Sequence, residues 1–490
     1  MMTLADIVQG IMGARPAWPI FAQTEVHAVV VDSRKVTPGV VFVAEATGSR
    51  DGHEFIPDAL GKGAVAVIME ARGLAHATSL TKLQMVDAAG QPTGAPVLTA
   101  SLQAAPTPLA IVVDDSLKAL QRLARFWREQ MPARIIGITG SVGKTTTKEL
   151  VATVLSTRYA TIKSEASYNN EIGLPLTLLR LRPHHQRAVL EMGCYVPGDI
   201  RFLSDIALPH IGVITNVGPS HLERMGSMEA IANTKAELIE ALPPDGVAIL
   251  NGDDARVRGL RDRTRARTVM YGLTPDCDVW ADDLDSRGLE GIAFRVHAQG
   301  ESLRVRVPLL GLHSVHTALR AIAVGLSDGM TWEEIIAGLN AEPDQIRLVV
   351  VPGVHGSTIL DDTYNASPDS GLAALNLLKE MPGRRIAVLG DMLELGAYEA
   401  EGHELVGCRA AEVAQRLIAV GERSRHIAEA ARSCGMRADA VEWFATNDEA
   451  LAALRDELQA GDFVLVKGSR GVQMETIVAG LAADTAKGEA

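Results

Sequence analysis

Short apolar runs separated by turn signals occupy the first 113 residues of the chain. The segment HAVVVDSRKVTPGVVFVA carries Asp-Ser and Pro-Gly turn signals between its apolar runs, and GKGAVAVIME continues the pattern. Runs of this length, bounded by turn residues, are typical of β-strands. A polar stretch with Pro and Gly, from Ala88 to Pro108, is typical of a loop or linker. We therefore expect a first domain that is rich in strands and poor in long helices.

A helix with an Asp-Ser N-cap signal leads into a second domain. Apolar side chains recur at helical spacing from Leu117 to Trp127, and Pro132 ends the pattern. From Arg134 onward, apolar runs alternate with helical patterns, which favours a largely parallel sheet covered by helices. Short strands in residues 268–310 predict an antiparallel extension of that sheet.

The alternation of strands and helices restarts after a second break at residues 340–347. Ser367 followed by Pro368 predicts the start of a helix, and Thr446 with Glu449 forms a capping-box signature that opens another. The alternation continues to the last apolar run, DFVLVK. This pattern predicts an open doubly wound sheet, whose ligands bind at the carboxyl ends of its strands.

Length and composition support this organisation and disfavour one class of partner. At 490 residues the chain is too long for one compact core, so about three domains are expected. A hydrophobic content of 47% and a charged content of 22% are typical of a folded globular protein. The formal net charge of −13 disfavours non-specific nucleic-acid binding, which requires a basic face.

Three further features of the sequence predict a cytoplasmic location. No apolar run approaches the ~18–20 residues that cross a bilayer, so membrane insertion is not expected. The N-terminus carries an early Asp6 and lacks a basic region followed by an apolar one, which disfavours a secretion signal. The four cysteines show no CxxC or Cys/His pattern, and reduced structural thiols are expected.

The sharpest chemical signal is the segment ITGSVGKTTTKELVATVL at residues 138–155. A buried-type strand enters a glycine loop, and the loop enters an amphipathic helix. In this context backbone N–H groups and the helix N-terminus cradle phosphate oxygens. Lys144 would neutralise the β- and γ-phosphates of ATP, and the Thr145 hydroxyl would bind Mg²⁺. The strict GxxxxGK[ST] pattern is not met, because Ile138 occupies its first glycine position, and a shorter GxxGKT form stands at residues 140–145.

The loop and several further motifs resemble those of the Mur ligase family along nearly the whole chain. The matching segments, in chain order, are DSRKVTPGVVFVA, DGHEFIPDAL, TGSVGKTTTKE, YNNEIGLPLTLLRL, LEMG, TNVGPSHLERMGS, KAEL, LDDTYNASPDS, IAVLGDMLELG and LVKGSRG. The resemblance implies an α/β fold with three domains. These are a small α/β domain that binds a UDP precursor at 1–113, a central P-loop ATPase-like domain with a parallel sheet at 114–342, and a C-terminal Rossmann-like doubly wound domain at 343–490.

The resemblance also implies a reaction. Enzymes of this family use ATP to activate a carboxylate as an acyl phosphate, which an amine then attacks. The motifs GDMLELG and LVKGSR resemble those of the members that add D-alanyl-D-alanine to UDP-N-acetylmuramoyl-tripeptide in cytoplasmic peptidoglycan precursor synthesis. The implied cofactors are ATP and two Mg²⁺ ions, the implied partners are those two substrates, and a monomer is expected.

Both chemical steps gather anionic charge in a small volume, so the site needs metal ions and fixed cations more than a covalent nucleophile. The resemblance implies catalytic roles for Lys144, Glu191, His221 and Lys235. It implies metal ligation by Thr145, Glu191, His221 and, as a carbamate, Lys235. Carbamylation requires a neutral amine, and hence a partly desolvated lysine whose pKa is lowered.

Binding residues follow from the same resemblance. ATP contacts are implied at Gly140, Ser141, Val142, Gly143, Lys144, Thr145, Thr146, Arg347, Asp361, Tyr364 and Asn365. Substrate contacts are implied at Ser33, Arg34, Asn169, Asn170, Asp391, Lys467 and Arg470. The Arg34 side chain is a planar donor fork suited to phosphate. The two adjacent Asn residues also suit an ordinary turn, so that interpretation stays open.

Two segments depart from the family pattern. Ser314 and Thr317 stand where many relatives carry the Asn residues of GxHNxxN, which weakens an adenine contact there, while His313 is retained. The hinge signature PGR reads QIR and keeps only Arg347.

Three alternative functions compete with this interpretation. A diaminopimelate- or lysine-adding ligase of the same family is one, but the DNPR-like motif associated with diaminopimelate recognition is absent. Folylpolyglutamate synthase shares the short phosphate loop but lacks the DSRxVxPG first domain. A non-catalytic nucleotide-binding regulator is the third, and the intact set of predicted catalytic residues argues against it.

Overall fold

The structure is a computed structural model, and it describes residues 1–16, 19–47, 50–77, 84–87, 97–98, 108–166, 168–341 and 348–483. The chain folds into two compact units. The first contains Met1–Gly137, Tyr159–Met192 and Arg201–Pro209, and the second contains Ile138–Arg158, Gly193–Ile200 and His210–Ala490. The three sequence-based domain boundaries stay predictions.

The N-terminal part of the first unit is built around a sheet of short strands. The strands are β1 Met2–Thr3, β2 Glu25–Val26, β3 Ala28–Val30, β4 Val40–Val43, β5 Ala46–Thr47, β6 Arg50–Asp51, β7 Ala66–Glu70, β8 Gln84–Asp87, β9 Val97–Leu98 and β10 Leu109–Val113. The helices are α1 Leu4–Met12, α2 Pro19–Gln23, α3 Ile56–Gly61, α4 Leu74–Ala77 and α5 Ser116–Glu129. The main sheet has the order β3-β4-β7-β10-β8-β9, and its β8–β9 pair is antiparallel while the other pairs are parallel. The predicted strand-rich character is confirmed in the described residues.

The middle of the chain supplies elements to both units. The strands are β11 Arg134–Thr139, β12 Thr161–Lys163, β13 Arg187–Glu191, β14 Ile211–Ile214, β15 Val247–Asn251, β16 Arg267–Gly272, β17 Val279–Ser286, β18 Ile292–Ala298 and β19 Glu301–Val307. The helices are α6 Lys144–Ser156, α7 Gly173–Leu179, α8 Asp199–Ala207, α9 Leu222–Met225, α10 Met228–Glu240, α11 Ala255–Arg258, α12 Ser314–Ser327 and α13 Trp332–Asn340. In the second unit, β14 to β17 pair in parallel and β17 to β19 pair antiparallel. The predicted antiparallel extension is therefore confirmed.

The C-terminal part of the second unit is a doubly wound sheet. Its strands are β20 Val349–Pro352, β21 Thr358–Asp362, β22 Arg385–Gly390, β23 Arg416–Val420, β24 Val441–Phe444 and β25 Phe463–Lys467. Its helices are α14 Pro368–Lys379, α15 Glu399–Val413, α16 Arg425–Ser433, α17 Asn447–Arg455 and α18 Glu475–Leu481. The order is β20-β21-β25-β22-β23-β24, with β20 antiparallel to β21 and the other pairs parallel. One apolar cluster joins α14, α15 and α16 to the sheet, and a second joins α17 and α18, so helices cover both faces as predicted.

Local sequence signals set the starts of several helices. The Ser367 hydroxyl accepts a hydrogen bond from the backbone N–H of Ser370, and Pro368 occupies the first turn of α14. Thr446 and Glu449 form the predicted capping box of α17. These caps satisfy backbone donors that have no partner within the helix, so both predicted starts are confirmed.

The expectation that the cysteines are reduced is wrong for one pair. The Sγ atoms of Cys408 and Cys434 are bonded, with their Cα atoms 5.3 Å apart. The two residues lie 26 positions apart, at α15 and directly after α16, and these helices pack against each other. Sequence spacing could not show this packing. Cys194 and Cys277 are free and buried. Within the described residues, no helix is both long and apolar enough to cross a bilayer.

Candidate active site

The predicted strand, glycine loop and helix form as expected at residues 134–156. β11 ends at Thr139, and α6 begins at Lys144. Gly140 and Gly143 have φ values of 148° and 82°, in the region that favours glycine. A Cβ atom on Gly140 would lie 1.8 Å from Thr215 Oγ1, so only glycine fits there. No side chain caps the N-terminus of α6, whose first N–H groups face the loop. The backbone thus forms a cradle suited to an anion.

Hydrogen bonds fix the shape of this loop within the second unit. The Asn216 side-chain oxygen accepts from the backbone N–H groups of Ser141 (3.1 Å) and Val142 (2.8 Å). The Lys144 amine donates to the carbonyl of Gly140 at 2.7 Å, which keeps its charge at the loop. Thr145 is buried, with 5% of its surface exposed. The loop therefore holds a lysine and a threonine where a nucleotide phosphate and its metal would need them.

The positive charges of Lys144 and Lys235 both act on the His221 ring. Burial lowers the pKa of His221, the Glu394 carboxylate raises it, and the charges of Lys144 and Lys235 lower it. His221 Nδ1 lies 2.5 Å from Glu394 Oε2. Lys144 and Lys235 are thus both within electrostatic range of His221 in the second unit, and Glu394 contacts His221 directly.

Lys235 is a buried amine on α10. Only 2% of its surface is exposed, and burial lowers its pKa. Among the described residues its amine has one hydrogen-bond partner, Cys194 Sγ at 3.9 Å. Because burial penalises the ammonium form, this amine is more readily neutral than a surface lysine. That property matches the requirement for carbamylation.

Glu191 and the two Asn residues belong to the first unit. Glu191 ends β13 and is 1% exposed. Its Oε1 atom accepts a hydrogen bond from Asn169 Nδ2 at 2.8 Å. Asn170 instead accepts from the backbone N–H of Gly173 at 2.9 Å, at the start of α7. Asn169 is therefore placed beside a predicted metal ligand, whereas Asn170 supports a turn.

Ser33 and Arg34 form a short turn in the first unit. The Arg34 side chain is 86% exposed, and its Nη2 atom lies 2.7 Å from Asp32 Oδ2. Hydrogen bonds from Arg34 lower the pKa of the Asp32 carboxyl to about 2. Ser33 is buried, and its carbonyl accepts from the Lys62 amine at 3.1 Å. The guanidinium is exposed, and its Nε and Nη2 atoms donate to the Asp32 carboxylate.

The predicted C-terminal residues gather at the carboxyl ends of two parallel strands. Asp362 on β21 is in register with Lys467 on β25. The Lys467 amine, 3% exposed, lies 2.6 Å from Asp362 Oδ2 and donates to the Asn365 carbonyl at 2.9 Å. The Arg470 guanidinium lies 5.2 Å from the centroid of the Tyr364 ring. These residues share one edge of the sheet, as the doubly wound pattern predicts.

Asp361 and Arg347 are two further predicted ATP-binding residues. The Asp361 carboxylate accepts from the backbone N–H (3.0 Å) and hydroxyl (2.7 Å) of Thr363, which anchors the turn after β21. Arg347 lies outside the described residues.

Asp391 is a buried carboxylate at the end of β22. Burial raises its pKa, and its Oδ1 accepts from the backbone N–H of Ser424 at 2.8 Å. A Cβ atom on Gly421 would lie 2.6 Å from this carboxylate. Asp391 therefore joins the β22 end to the turn that precedes α16.

The positions that depart from the family pattern bind other parts of the protein. The Ser314 hydroxyl donates to the carbonyl of Leu310 at 2.7 Å, and the Thr317 hydroxyl accepts from Arg320 at 3.2 Å. Burial lowers the pKa of His313 to about 4.

Sequence reasoning missed several residues that shape the site. Asn216, Glu394 and Cys194 lie in or next to the motifs TNVGPS, GDMLELG and LEMG, so a closer inspection of those motifs would have found them. Arg320 carries no motif signal. Within the described residues, no group of three or more His, Cys, Asp or Glu side chains is placed to hold a metal ion.

A glycine loop at a helix N-terminus, with a lysine on the loop and an α/β sheet behind it, defines a nucleotide-phosphate-binding protein of the P-loop type. Three family models match the chain. They are the Mur ligase family catalytic domain at residues 25–128, the Mur ligase middle domain at 138–325, and the Mur ligase glutamate ligase domain at 346–470. The chain belongs to the Mur ligase family.

Individual relatives match along nearly the full length. The UDP-N-acetylmuramoyl-tripeptide–D-alanyl-D-alanine ligase of Bacillus subtilis is 34% identical over 97% of this chain and 96% of its own. A crystal structure of MurF from Acinetobacter baumannii has a TM-score of 0.80 at 30% identity and covers 97% of this chain and 98% of its own. The crystal structure of MurF ligase from Thermotoga maritima in complex with ADP has a TM-score of 0.75 at 28% identity. It covers 93% of this chain and 96% of its own.

Proposed function

We propose that this protein is an ATP-dependent ligase that joins D-alanyl-D-alanine to UDP-N-acetylmuramoyl-tripeptide in cytoplasmic peptidoglycan precursor synthesis. ATP phosphorylates the peptide carboxylate, the amine of D-alanyl-D-alanine attacks the acyl phosphate, and inorganic phosphate leaves. The observation that supports the proposal most is the phosphate loop, because the charge of its Lys144 acts on His221 together with that of Lys235. The chain also matches a ligase of this kind over 97% of its length. We also propose that the protein acts as a monomer.

The loop residues bind and orient the nucleotide in this proposal. The backbone from Gly140 to Gly143 and the first turn of α6 hold the phosphates, with Thr146 inside that turn. The Lys144 amine moves from the Gly140 carbonyl to the phosphate oxygens. Asp361, Tyr364, Asn365 and Arg347 are proposed to complete the ATP contacts.

The residues proposed for Mg²⁺ have suitable chemistry. Mg²⁺ prefers oxygen ligands and is often held by one or two carboxylates together with substrate phosphates and water, so a cluster made only of protein ligands is not required. Thr145 offers a hydroxyl and Glu191 a carboxylate, both buried. Lys235 would offer oxygen ligands only as a carbamate, which the lowered pKa of its amine favours, and His221 would offer a ring nitrogen, for which burial favours the neutral form. When bound, Mg²⁺ would neutralise phosphate charge.

Substrate contacts are proposed at two places. Ser33, Arg34, Asn169 and Asn170 are proposed for the UDP-linked precursor, supported by the exposed guanidinium of Arg34. Asp391, Lys467 and Arg470 are proposed for the substrates at the C-terminal sheet edge. The Lys467 charge is paired with the Asp362 carboxylate, which weakens its attraction for a distant anion. We therefore expect Lys467 mainly to hold the side chains at this edge of the sheet in position.

A matrix of substrates in an ADP-release assay tests the proposed function. The acceptor is UDP-N-acetylmuramoyl-tripeptide or the corresponding dipeptide, and the amine is D-alanyl-D-alanine, diaminopimelate or lysine. The proposal expects ADP release only with tripeptide and D-alanyl-D-alanine together. Release with dipeptide and a single amino acid would identify another amino-acid ligase, and no release with any pair would favour a regulator.

A further inference from the structure

Arg320 places a buried positive charge next to the phosphate loop. It lies on α12, and burial lowers the pKa of its guanidinium. Three hydrogen bonds hold it, to the carbonyl of His316 (2.9 Å) and to the hydroxyls of Thr147 (2.8 Å) and Thr317 (3.2 Å). All of these partners are neutral.

Arg320 is buried without an ion pair in the part of the chain that the structure describes. Among the described residues, no carboxylate lies within ion-pair distance of its guanidinium. The Arg320 guanidinium lies 5.7 Å from the centroid of the Tyr271 ring, whose face attracts a cation but carries no net charge. An arginine stays charged in proteins, and a buried charge without a partner is costly. The buried charge of Arg320 therefore lowers the free energy of unfolding unless an anion compensates it.

One face of the guanidinium points to the back of the loop. The Thr147 hydroxyl, which accepts from Arg320 Nη1, donates to the carbonyl of Gly143 at 2.6 Å. A Cβ atom on Gly143 would lie 3.3 Å from the same nitrogen. Gly143 is the N-cap residue of α6, so the charge of Arg320 lies against the backbone at the start of the helix that completes the anion cradle.

We propose that Arg320 is a positioning residue of the phosphate loop, and that the polyphosphate of a bound nucleotide is its missing counter-charge. It acts through Thr147 and Gly143 and not by touching the phosphate, which separates its role from that of Lys144. This inference rests on the proposed function only in requiring that the loop bind nucleotide phosphate.

The proposal differs from a purely structural role in what it predicts for nucleotides of different charge. A guanidinium that acted only as packing would support ATP, ADP and adenosine equally. A fixed charge behind the cradle favours ligands in proportion to their phosphate charge. Removing it should also spare or raise the stability of the nucleotide-free protein, because an uncompensated buried charge is lost.

The experiment measures the dissociation constants of ATP, ADP and adenosine by calorimetry for the wild type, Arg320→Met and Arg320→Lys. Arg320→Met should weaken ATP binding about tenfold or more and ADP binding less, because it removes a fixed charge that acts on the phosphates through a poorly solvated layer of protein. Adenosine should change less than twofold, and Arg320→Lys should recover most of the ATP affinity. The melting temperature of nucleotide-free Arg320→Met should not fall below that of the wild type.

Arg128→Met is the matched control. Arg128 is also a buried arginine that donates to carbonyls, of Ala207 (2.8 Å) and Met131 (3.0 Å), but it lies in the other unit. Its replacement should leave the ATP affinity unchanged. Thr147→Val keeps the shape of the side chain and removes the hydroxyl that links Arg320 to Gly143, so it should weaken ATP binding about threefold while the buried charge stays in place.

The role of Arg320 is overturned if Arg320→Met binds ATP within twofold of the wild type, if it loses ATP and adenosine equally, or if Arg320→Lys behaves like Arg320→Met. Unchanged ATP affinity in Thr147→Val would overturn it as well. A wild type that binds no ATP would contradict the proposed function instead, so the two failures are distinguishable.

Discussion

His221 Nδ1 and Glu394 Oε2 lie 2.5 Å apart, although 173 positions separate them in the chain. Both residues have a left-handed backbone, with φ values of 56° and 64°. Non-glycine residues adopt this conformation at a cost, so the surrounding structure must favour it. A carboxylate at Nδ1 fixes the tautomer in which Nδ1–H donates and Nε2 stays free as an acceptor or ligand. Glu394 is therefore the residue that orients His221.

Glu394→Ala should lower kcat by about tenfold to a hundredfold, the range found when a carboxylate that orients a ligating histidine is lost. The ATP affinity should change little, because the phosphate loop is intact. The measurements are steady-state ligation and nucleotide binding by calorimetry. Glu422→Ala, at a side chain that is 74% exposed, serves as the control. Equal kcat in the two variants would contradict the orienting role of Glu394.

Lys144→Ala should lower ligation by at least about a hundredfold, since it removes a fixed cation from the transferring phosphoryl group. The fold should survive, because Lys144 is only partly buried and its amine donates to the loop carbonyls of Gly140 and Ser141. ADP release and circular dichroism are the measurements. Lys118→Ala, at a 74% exposed side chain, should be fully active. Near-normal turnover by Lys144→Ala would reject the phosphate-loop assignment.

Lys235→Ala should lose activity and regain part of it when short carboxylic acids such as acetate are added. The expected cause is that a small carboxylate enters the buried space left by the side chain and replaces a carbamate. Activity is measured against carboxylate concentration, with chloride salts at equal ionic strength as the control. If the variant keeps its activity, or if no carboxylate restores it, the carbamate role is not supported.

His313 makes the stability of the protein depend on pH. Its pKa falls from the ordinary 6.5 to about 4 because the ring is buried, and Lys467, Arg320 and His316 oppose its protonation while Asp362 favours it. Between pH 6.5 and about pH 4, His313 is therefore protonated in the unfolded chain and neutral in the folded chain. The stabilisation is fully present above pH 6.5 and is lost as the pH falls towards 4. The two values correspond to about 3 kcal/mol.

Urea unfolding of the wild type and of His313→Gln at pH 7.5, 6, 5 and 4 checks this. The free energy of unfolding of the wild type should fall by about 3 kcal/mol more than that of the variant over the range. His184→Gln, at an exposed position, should follow the wild type. Parallel curves for the wild type and His313→Gln would show that burial of this ring is not the cause.

The sequence was sufficient wherever structure depends on neighbouring residues. The apolar run ending at Thr139, the glycines after it and the helix from Lys144 predicted a phosphate loop, and the loop formed there. The cap at Ser367 and the capping box at Thr446 were likewise readable from spacing alone.

Contacts between distant segments could not be predicted in this way. Glu394 meets His221, and Arg320 meets Thr147, each across 173 positions. The bond between Cys408 and Cys434 depends on how two helices pack. Such contacts follow from tertiary packing, which local patterns do not encode.

Transfer of oxygen from the peptide carboxylate to phosphate tests the central claim most directly. UDP-N-acetylmuramoyl-tripeptide labelled with ¹⁸O in both oxygens of its terminal carboxylate is ligated to D-alanyl-D-alanine with unlabelled ATP, and the released phosphate is analysed by mass spectrometry. An acyl-phosphate route leaves one carboxylate oxygen on the departing phosphate, so each phosphate should carry one ¹⁸O atom. Phosphate without ¹⁸O, released during active ligation, would contradict the account.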